Sequence, residues 1–204
     1  GKSSTELVFE ITENITGSNE KFNLVRCKSC GLQYVNPRPS KDSIGQYYPP
    51  DAYYSYQFRN PDSLKQRIRN IVLEERGKYP RTGKNNPILN AIGKLIAKSM
   101  KGQGLMTIPF HPNGIALDIG CGCGEQLLWL KNHGWGEVHG VEISKTAVEL
   151  ANKKGLNVFC GEMTDAGYPN QYFDAVTISQ VLEHVHDPMK TLKEIYRILK
   201  PSGL

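Results

Sequence analysis

Ile115-Ala-Leu-Asp-Ile-Gly-Cys-Gly-Cys-Gly124 is the stretch on which the fold turns. An apolar run ends at Asp118-Ile119, three glycines alternate with two cysteines, and a helical pattern follows from Glu125 to His133. Strand, glycine turn and helix in that order open a nucleotide-type α/β sheet. Glycine suits such a turn because, lacking Cβ, it adopts positive φ and lets a ligand approach the backbone. A dinucleotide fingerprint, G-x-G-x-x-G, would use Gly120 and Gly122 and then require glycine at position 125, where Glu125 stands. The third glycine is Gly124 instead. A glutamate opening the helix repels a diphosphate, which seeks the positive helix N-terminus. Asp118 adds a second negative charge at the strand end, so the turn calls for a ligand with cationic groups.

Working outward, Glu137-Val-His-Gly-Val-Glu-Ile143 reads as a second strand, with Glu142 at its carboxyl end, 22 residues after Gly120. An acid at that spacing accepts hydrogen bonds from both ribose hydroxyls in such folds. S-adenosylmethionine, with a sulfonium, an ammonium and an adenosyl ribose, meets these requirements. Ser144 caps a helix over 145–154, and Gly155 stops it. Asn157-Val-Phe-Cys160 is a third strand, with Gly161-Glu162-Met163 on the same rim, and Phe173-Asp-Ala-Val-Thr-Ile-Ser179 is a fourth. Asp187 and Pro188 start the last helix in cap and first-turn positions. Met189, Leu192, Ile195 and Leu199 supply its apolar stripe, and Pro201 and Gly203 end it.

Taken together, Leu117-Asp-Ile-Gly-Cys-Gly-Cys-Gly124, Gly140-Val-Glu-Ile-Ser144, Phe173-Asp-Ala-Val176, Val181-Leu-Glu-His-Val185 and Leu199-Lys-Pro-Ser-Gly203 resemble class I S-adenosylmethionine-dependent methyltransferases over residues 114–204. Ser202 departs from the pattern, where glycine is more usual. The resemblance implies a Rossmann-like α/β fold with strand order 3-2-1-4-5-7-6. Four strands are counted here, at 115–119, 137–143, 157–160 and 173–179, and Leu204 stands where a fifth would begin. The expected sheet is therefore 3-2-1-4, with later strands missing and one edge undercovered. The resemblance also assigns roles by position. Asp118, Gly120, Cys121, Gly122 and Gly124 would line the methionine end of the cofactor. Glu142 and Ile143 would hold ribose and adenine, Glu162 and Met163 would flank the adenine, and Gln180 would face the methionine moiety or the acceptor entrance. Aspartate is commoner at the position of Glu162.

The front of the chain carries a second marker. Phe22-Asn-Leu-Val-Arg-Cys-Lys-Ser-Cys-Gly-Leu-Gln-Tyr-Val-Asn36 reads as two strands around Cys27-Lys-Ser-Cys30-Gly31. C-x-x-C-G at a hairpin tip aims two thiolates at one point, as in a zinc knuckle. Structural zinc takes four ligands, so zinc at Cys27 and Cys30 is expected only if a second ligand pair is supplied. Cys121, Cys123 and Cys160 belong to the cofactor fold. With Asn36-Pro-Arg-Pro-Ser40 and Tyr47, Tyr48, Tyr53, Tyr54 and Tyr56, this block resembles the leader of methyltransferases found in bacterial polysaccharide and O-antigen gene clusters. In that group a first C-x-x-C precedes this one, so the chain is expected to begin late as well as end early. The resemblance implies a sugar, a glycan or another small metabolite as acceptor.

Three segments follow: a partial zinc-ribbon-like hairpin with a tyrosine-rich stretch over 1–58, a basic helical lid or linker over 59–113, and the cofactor domain over 114–204. Between Arg59 and Lys101 there are 11 Lys or Arg against 3 Asp or Glu, in a chain whose formal net charge is +5. The spacing predicts a helix over 63–76, with Leu64, Ile68, Ile71 and Val72 on one side. A second is predicted over 87–101, with Ile88, Ile92, Leu95, Ile96 and Met100 on one side and Lys94, Lys98 and Lys101 on the other. Such a basic face is either solvated or attracts a phosphate-bearing acceptor or an anionic membrane surface. Nucleic acid is disfavoured, because aromatic residues do not alternate with the basic ones along this run. A hydrophobic fraction of 39% with no apolar run of about 18 residues excludes a membrane span. Five cysteines without a secretory signal place the chain in a reducing cytoplasm.

The chemistry implied is an in-line displacement by an acceptor nucleophile on a sulfonium methyl, leaving S-adenosylhomocysteine. Alignment supplies most of the acceleration. An oxygen or carbon acceptor also needs a proton removed. Glu183, His184 and His186 follow the fourth strand, and His184 is the candidate base because histidine titrates near neutral pH. Two other readings stand beside a methyltransferase: an inactive fragment or regulatory subunit that binds the cofactor, and a nicotinamide-dependent oxidoreductase, which the 120–125 spacing opposes. The acceptor atom and the oligomeric state leave no mark in the sequence.

Overall fold

The computed structural model describes residues 4–14, 17–40, 43–47, 63–80, 86–99 and 107–204. Tyr48, Tyr53, Tyr54 and Tyr56 of the tyrosine-rich stretch, and Met100 and Lys101 of the second predicted helix, lie outside them. Backbone contacts divide the chain into two units, Gly1–Tyr53 and Tyr54–Leu204.

The first unit is a three-stranded antiparallel meander in the order β1-β2-β3, with β1 at Thr5–Thr12, β2 at Lys21–Cys27 and β3 at Gln33–Val35. The Cys27 turn joins β2 to β3, as the hairpin reading expects; β1 is an addition to it. Ile11 pairs with Phe22 and Glu10 with Asn23, and the register shifts between Leu7 and Phe9. Lys21 and Glu10 form an exposed ion pair across these strands at 2.8 Å.

In the second unit, α1 (Leu64–Gly77) starts at Ser63, whose hydroxyl accepts the Gln66 amide, and ends on Lys78 in the left-handed region. Its partner α2 (Pro87–Ser99) does not pack through the predicted isoleucine side. Ile88, Ile92 and Leu95 are exposed, and Gly93 and Ala97 are buried. The reason is close approach: a Cβ on Gly93 would fall 2.3 Å from Ile71 Cγ2. The Ile71 side chain fills the space beside Gly93, so no larger residue fits at that point of the contact face. Lys94 and Lys98 point to solvent.

The parallel sheet is built from β4 (Ile115–Ile119), β5 (Glu137–Glu142), β6 (Asn157–Cys160) and β7 (Ala175–Ile178) in the order β6-β5-β4-β7. This is the expected 3-2-1-4 arrangement. Leu204 lies against the outer side of β7, donating its amide to Asp174 O and accepting from Val176 N. Apolar residues fall on both faces, as a sheet covered on both sides requires. Ala116, Val138 and Val158 meet Leu127 and Leu130 of α3 (Glu125–Asn132) and Val148 and Ala151 of α4 (Lys145–Asn152). Leu117, Ile119 and Val141 meet Phe173, Met163 and Ile198 on the other face. Burying leucines as completely as Leu117 and Leu127 stabilises by about 2 kcal/mol each.

The last helix, α5 (Pro188–Ile198), is capped as the sequence predicts, with the Asp187 carboxylate accepting the Lys190 amide at 2.9 Å. Its orientation differs from the prediction. Met189 is 62% exposed and Leu192 40%, while Thr191 and Ile198 are buried and Ile195 packs against the second core. Thr191 tolerates this because its hydroxyl bonds Asp187 O at 3.1 Å. Leu199 has left the helix and bridges Phe173 in extended conformation. A buried tie joins α1 to the turn after α3. His133 Nδ1 donates to Trp129 O at 2.7 Å, and Nε2 lies 3.1 Å from Glu74 Oε1.

Candidate functional site

The carboxyl ends of β4, β5 and β7 converge on one rim, where ligands sit in open parallel sheets. Gly120, Gly122 and Gly124 all have positive φ, at 73°, 55° and 83°. At Gly120 space matters as well as φ. A Cβ there would fall 2.2 Å from Val181 Cγ2, so the segment after β7 closes down on the turn. On β5, a Cβ at Gly140 would fall 2.6 Å from Cys121 Sγ and 2.8 Å from Leu127 Cδ1. Cys121 therefore points inward, into the core. Burial, then the charges of Asp118 and Glu142, push its thiol pKa up, so it is a packing residue and not a nucleophile.

Glu142 stitches two turns together. Its Oε2 accepts the Gly122 amide at 2.9 Å and its Oε1 the Ser144 amide at 2.9 Å. Each oxygen keeps a second lone pair. The carboxylate is 7% exposed, as is Asp118 one strand away. Asp118 Oδ1 accepts the Thr177 hydroxyl at 2.7 Å, and Gln126 Nε2 donates to that hydroxyl at 3.2 Å. Burial pushes the Asp118 pKa up to about 6; the Thr177 hydrogen bond opposes the shift and the Glu142 charge adds to it. Among the described residues neither carboxylate forms an ion pair. Burying charge without a counterion is costly. Among the described residues the rim is short of a cation.

The other expected cofactor positions divide by exposure. Ile143 is 55% exposed at the end of β5, beside Glu142. Glu162 is exposed after β6, with Gly161 N bonded to Glu142 O at 3.0 Å. Met163 is buried in the second core, so its side chain belongs to the sheet's packing. Gln180 stands exposed at the end of β7 with φ at 56°. A non-glycine residue held there is strained, and such strain concentrates at functional positions. His184 sits in the turn that follows, its amide bonded to Val181 O at 2.8 Å and its ring half-exposed, 4.0 Å from Glu183 Oε1.

Thr177 and Gln126 complete the site without having been foreseen. In the register of β4 and β7, Asp118 lies directly opposite Thr177. The signal was a hydroxyl in the middle of an otherwise apolar strand, Ala175-Val-Thr-Ile178.

At the tip of the first unit, the Cys27 thiol pKa is lowered by the backbone amides of Cys30 and Ser29 and by the Cys30 side chain. The Gly31 amide closes the turn on Cys27 O at 2.9 Å. The pair supplies two of the four ligands a structural zinc takes. Among the described residues no group of three or more His, Cys, Asp or Glu is arranged to hold a metal. Zinc therefore does not fit the residues described, and a second ligand pair for it is not found among them. Among the described residues no helix is long and apolar enough to cross a membrane.

Curated relatives agree with the site. The chain is 32% identical over 106 residues to a demethylmenaquinone methyltransferase of Bacillus licheniformis, covering 48% of this chain and 45% of that protein. It is 28% identical over 148 residues to a demethylmenaquinone methyltransferase of Staphylococcus saprophyticus, covering 69% of this chain and 60% of the relative. The chain thus spans about half the length of the curated relatives it matches. Among solved structures it is similar to the PH0226 protein of Pyrococcus horikoshii, at 24% identity and a TM-score of 0.46, covering 76% of this chain and 61% of that one. Neither curated relative is named for a sugar or glycan acceptor. Residues 117–204 match the family described as a methyltransferase domain, and that span takes in the carboxyl ends of β4, β5 and β7 on which these residues converge.

Proposed function

We propose that this chain is the cofactor-binding part of an S-adenosylmethionine-dependent methyltransferase acting on a small molecule. One observation carries the reading: two buried carboxylates, Asp118 and Glu142, border a glycine turn with no counterion among the described residues. S-adenosylmethionine, when bound, supplies a sulfonium-activated methyl group, and its ammonium and sulfonium provide the missing positive charge. Glu142 uses its free lone pairs for the ribose hydroxyls, and exposed Ile143 and Glu162 border the adenine. Asp118 and the amides of the 120–124 turn face the methionine end, with Gln180 at the entrance. A diphosphate would meet Glu125 and Glu142 and be repelled.

The names of the curated relatives favour a quinone-type acceptor over a sugar or glycan. Exposed Lys94 and Lys98 on α2 suit a lid over that acceptor or an anionic surface. His184 is the proposed base, half-exposed on the rim beyond β7. In the full-length enzyme His184→Ala should lower turnover at least tenfold with KM for the cofactor unchanged; a loss under threefold would remove the role.

Calorimetry tests the main reading. S-adenosylhomocysteine should bind with one site per chain and NAD should not. Binding of NAD alone would overturn the assignment.

A further inference from the structure

The carboxylate that meets the cation is not held by backbone amides, as Glu142 is, but by one side-chain hydroxyl. We propose that Thr177 is the positioning residue of the crevice: its hydroxyl holds the Asp118 carboxylate in the charged, cation-accepting form, and so sets the lowest pH at which an S-adenosyl group is bound. The proposal rests on the S-adenosyl reading above.

Thr177 is 4% exposed and directly opposite Asp118 in the β4–β7 register. It has one hydroxyl hydrogen and two acceptors in reach, Asp118 Oδ1 at 2.7 Å and Leu117 O at 3.3 Å. The shorter bond, to a charged acceptor, takes the hydrogen. Gln126, in the first turn of α3, donates to the hydroxyl oxygen at 3.2 Å and so occupies a lone pair. That contact fixes the rotor with its hydrogen toward Asp118. Three elements thus converge on one carboxylate: Asp118 on β4, Thr177 on β7 and Gln126 on α3.

The charge balance explains why the hydroxyl matters. The titratable groups facing Asp118 are Glu142 on β5 and Cys121 in the turn. Glu142 disfavours its ionisation, and the Cys121 thiol is held protonated by burial. Nothing cationic among the described residues offsets them. Among the described residues the Thr177 bond is the one interaction on Asp118 that favours the charged form. Without it, the site would meet a cation with a neutral acid over a wider pH range, and binding would have to expel a proton.

The test is calorimetry with S-adenosylhomocysteine from pH 5 to 8.5 on the wild type, Thr177→Val, Thr177→Ser and Gln126→Leu, each checked for cooperative melting. Wild-type affinity should rise with pH through about 6 and then level off. Thr177→Val preserves shape but not the hydroxyl; it should bind at least tenfold more weakly at pH 7, with its titration midpoint moved up by about one unit. Thr177→Ser should restore both to within about threefold. Gln126→Leu should move the midpoint the same way, by less. It also keeps the test open if the valine variant does not fold. A merely structural threonine would lower the melting temperature of Thr177→Val and leave the midpoint in place, and that result would overturn the proposal. If the wild type binds S-adenosylhomocysteine at no pH, the S-adenosyl reading itself fails. If the wild type binds but the midpoint does not respond to Thr177 or Gln126, only the positioning role fails.

Discussion

Two aspartates at opposite rims of one sheet have opposite environments. Asp118 ends β4 at the carboxyl rim, and Asp174 precedes β7 at the amino rim. Both are mostly removed from water. Burial pulls the Asp174 carboxyl up, but the Lys200 ammonium at 2.8 Å, the Ile115 amide at 2.8 Å and the neighbouring His111 outweigh it and hold its pKa below the ordinary value. At Asp118 burial goes unanswered except by one hydroxyl, and the pKa rises to about 6. At the amino rim the fold provides its own cation, from the segment that follows α5. At the carboxyl rim none is found among the described residues. A closed polar cluster holds a structure together, whereas an incomplete one is where a ligand completes the set.

Replacing each aspartate by asparagine should pull these two roles apart. The largest effect is expected at Asp118→Asn. It should weaken S-adenosylhomocysteine binding at least hundredfold, because the ligand's ammonium loses its charged partner. The same change should stabilise the empty protein at pH 7. With a folded pKa raised from 3.8 to about 6, the folded state holds the extra proton. Stability from that proton is complete below 3.8 and is lost as pH rises through about 6. At pH 7 the native protein therefore bears a buried charge that costs on the order of 3 kcal/mol. Asparagine removes it, and the melting temperature should rise by roughly 6–12 °C at pH 7 and by little at pH 4. A fall at pH 7 would mean that Asp118 is satisfied in the empty protein, and the contrast between the rims would disappear.

What the sequence made legible follows the range of each interaction. The 115–124 turn, Glu142 and the Ser144 and Asp187 caps are local patterns, read from one segment at a time, and the structure has them where they were expected. Thr177 was passed over because its meaning depends on facing Asp118 across 59 residues of chain, a register that no local pattern encodes. The helix faces were misread for a related reason. Apolar periodicity identifies a stripe, but docking is decided by where the facing element's side chains need room. α2 turns Gly93 and Ala97 inward, with Ile71 seated against Gly93, and α5 turns Thr191 and Ile198 inward, leaving Met189 and Leu192 outside. Gly120 was read from the cofactor side alone, and Gly140 only as one letter of a motif. In the structure both also make room for the protein's own Val181, Cys121 and Leu127.

The smaller effect, at the amino rim, should be the mirror image of the first. Asp174→Asn leaves Lys200 without its partner and weakens the acceptor of the Ile115 amide, at the first residue of β4. Lys200 is 36% exposed, so solvent screens much of the pair, and the loss at pH 7 should be about 1 kcal/mol. The sign of the pH dependence is opposite to that of Asp118. A carboxyl held below its ordinary 3.8 stabilises the fold above that value, and the gain is lost as pH falls through the lowered folded pKa. Wild type and Asp174→Asn should therefore converge in urea titrations once the pH falls below the lowered folded pKa and separate above the ordinary 3.8. S-adenosylhomocysteine affinity should stay within twofold throughout, because Asp174 lies at the far end of the strands from the glycine turn. A tenfold loss of affinity would mean that the two rims are coupled through β4, and that Asp174 helps to place Asp118 as well as to anchor the strand.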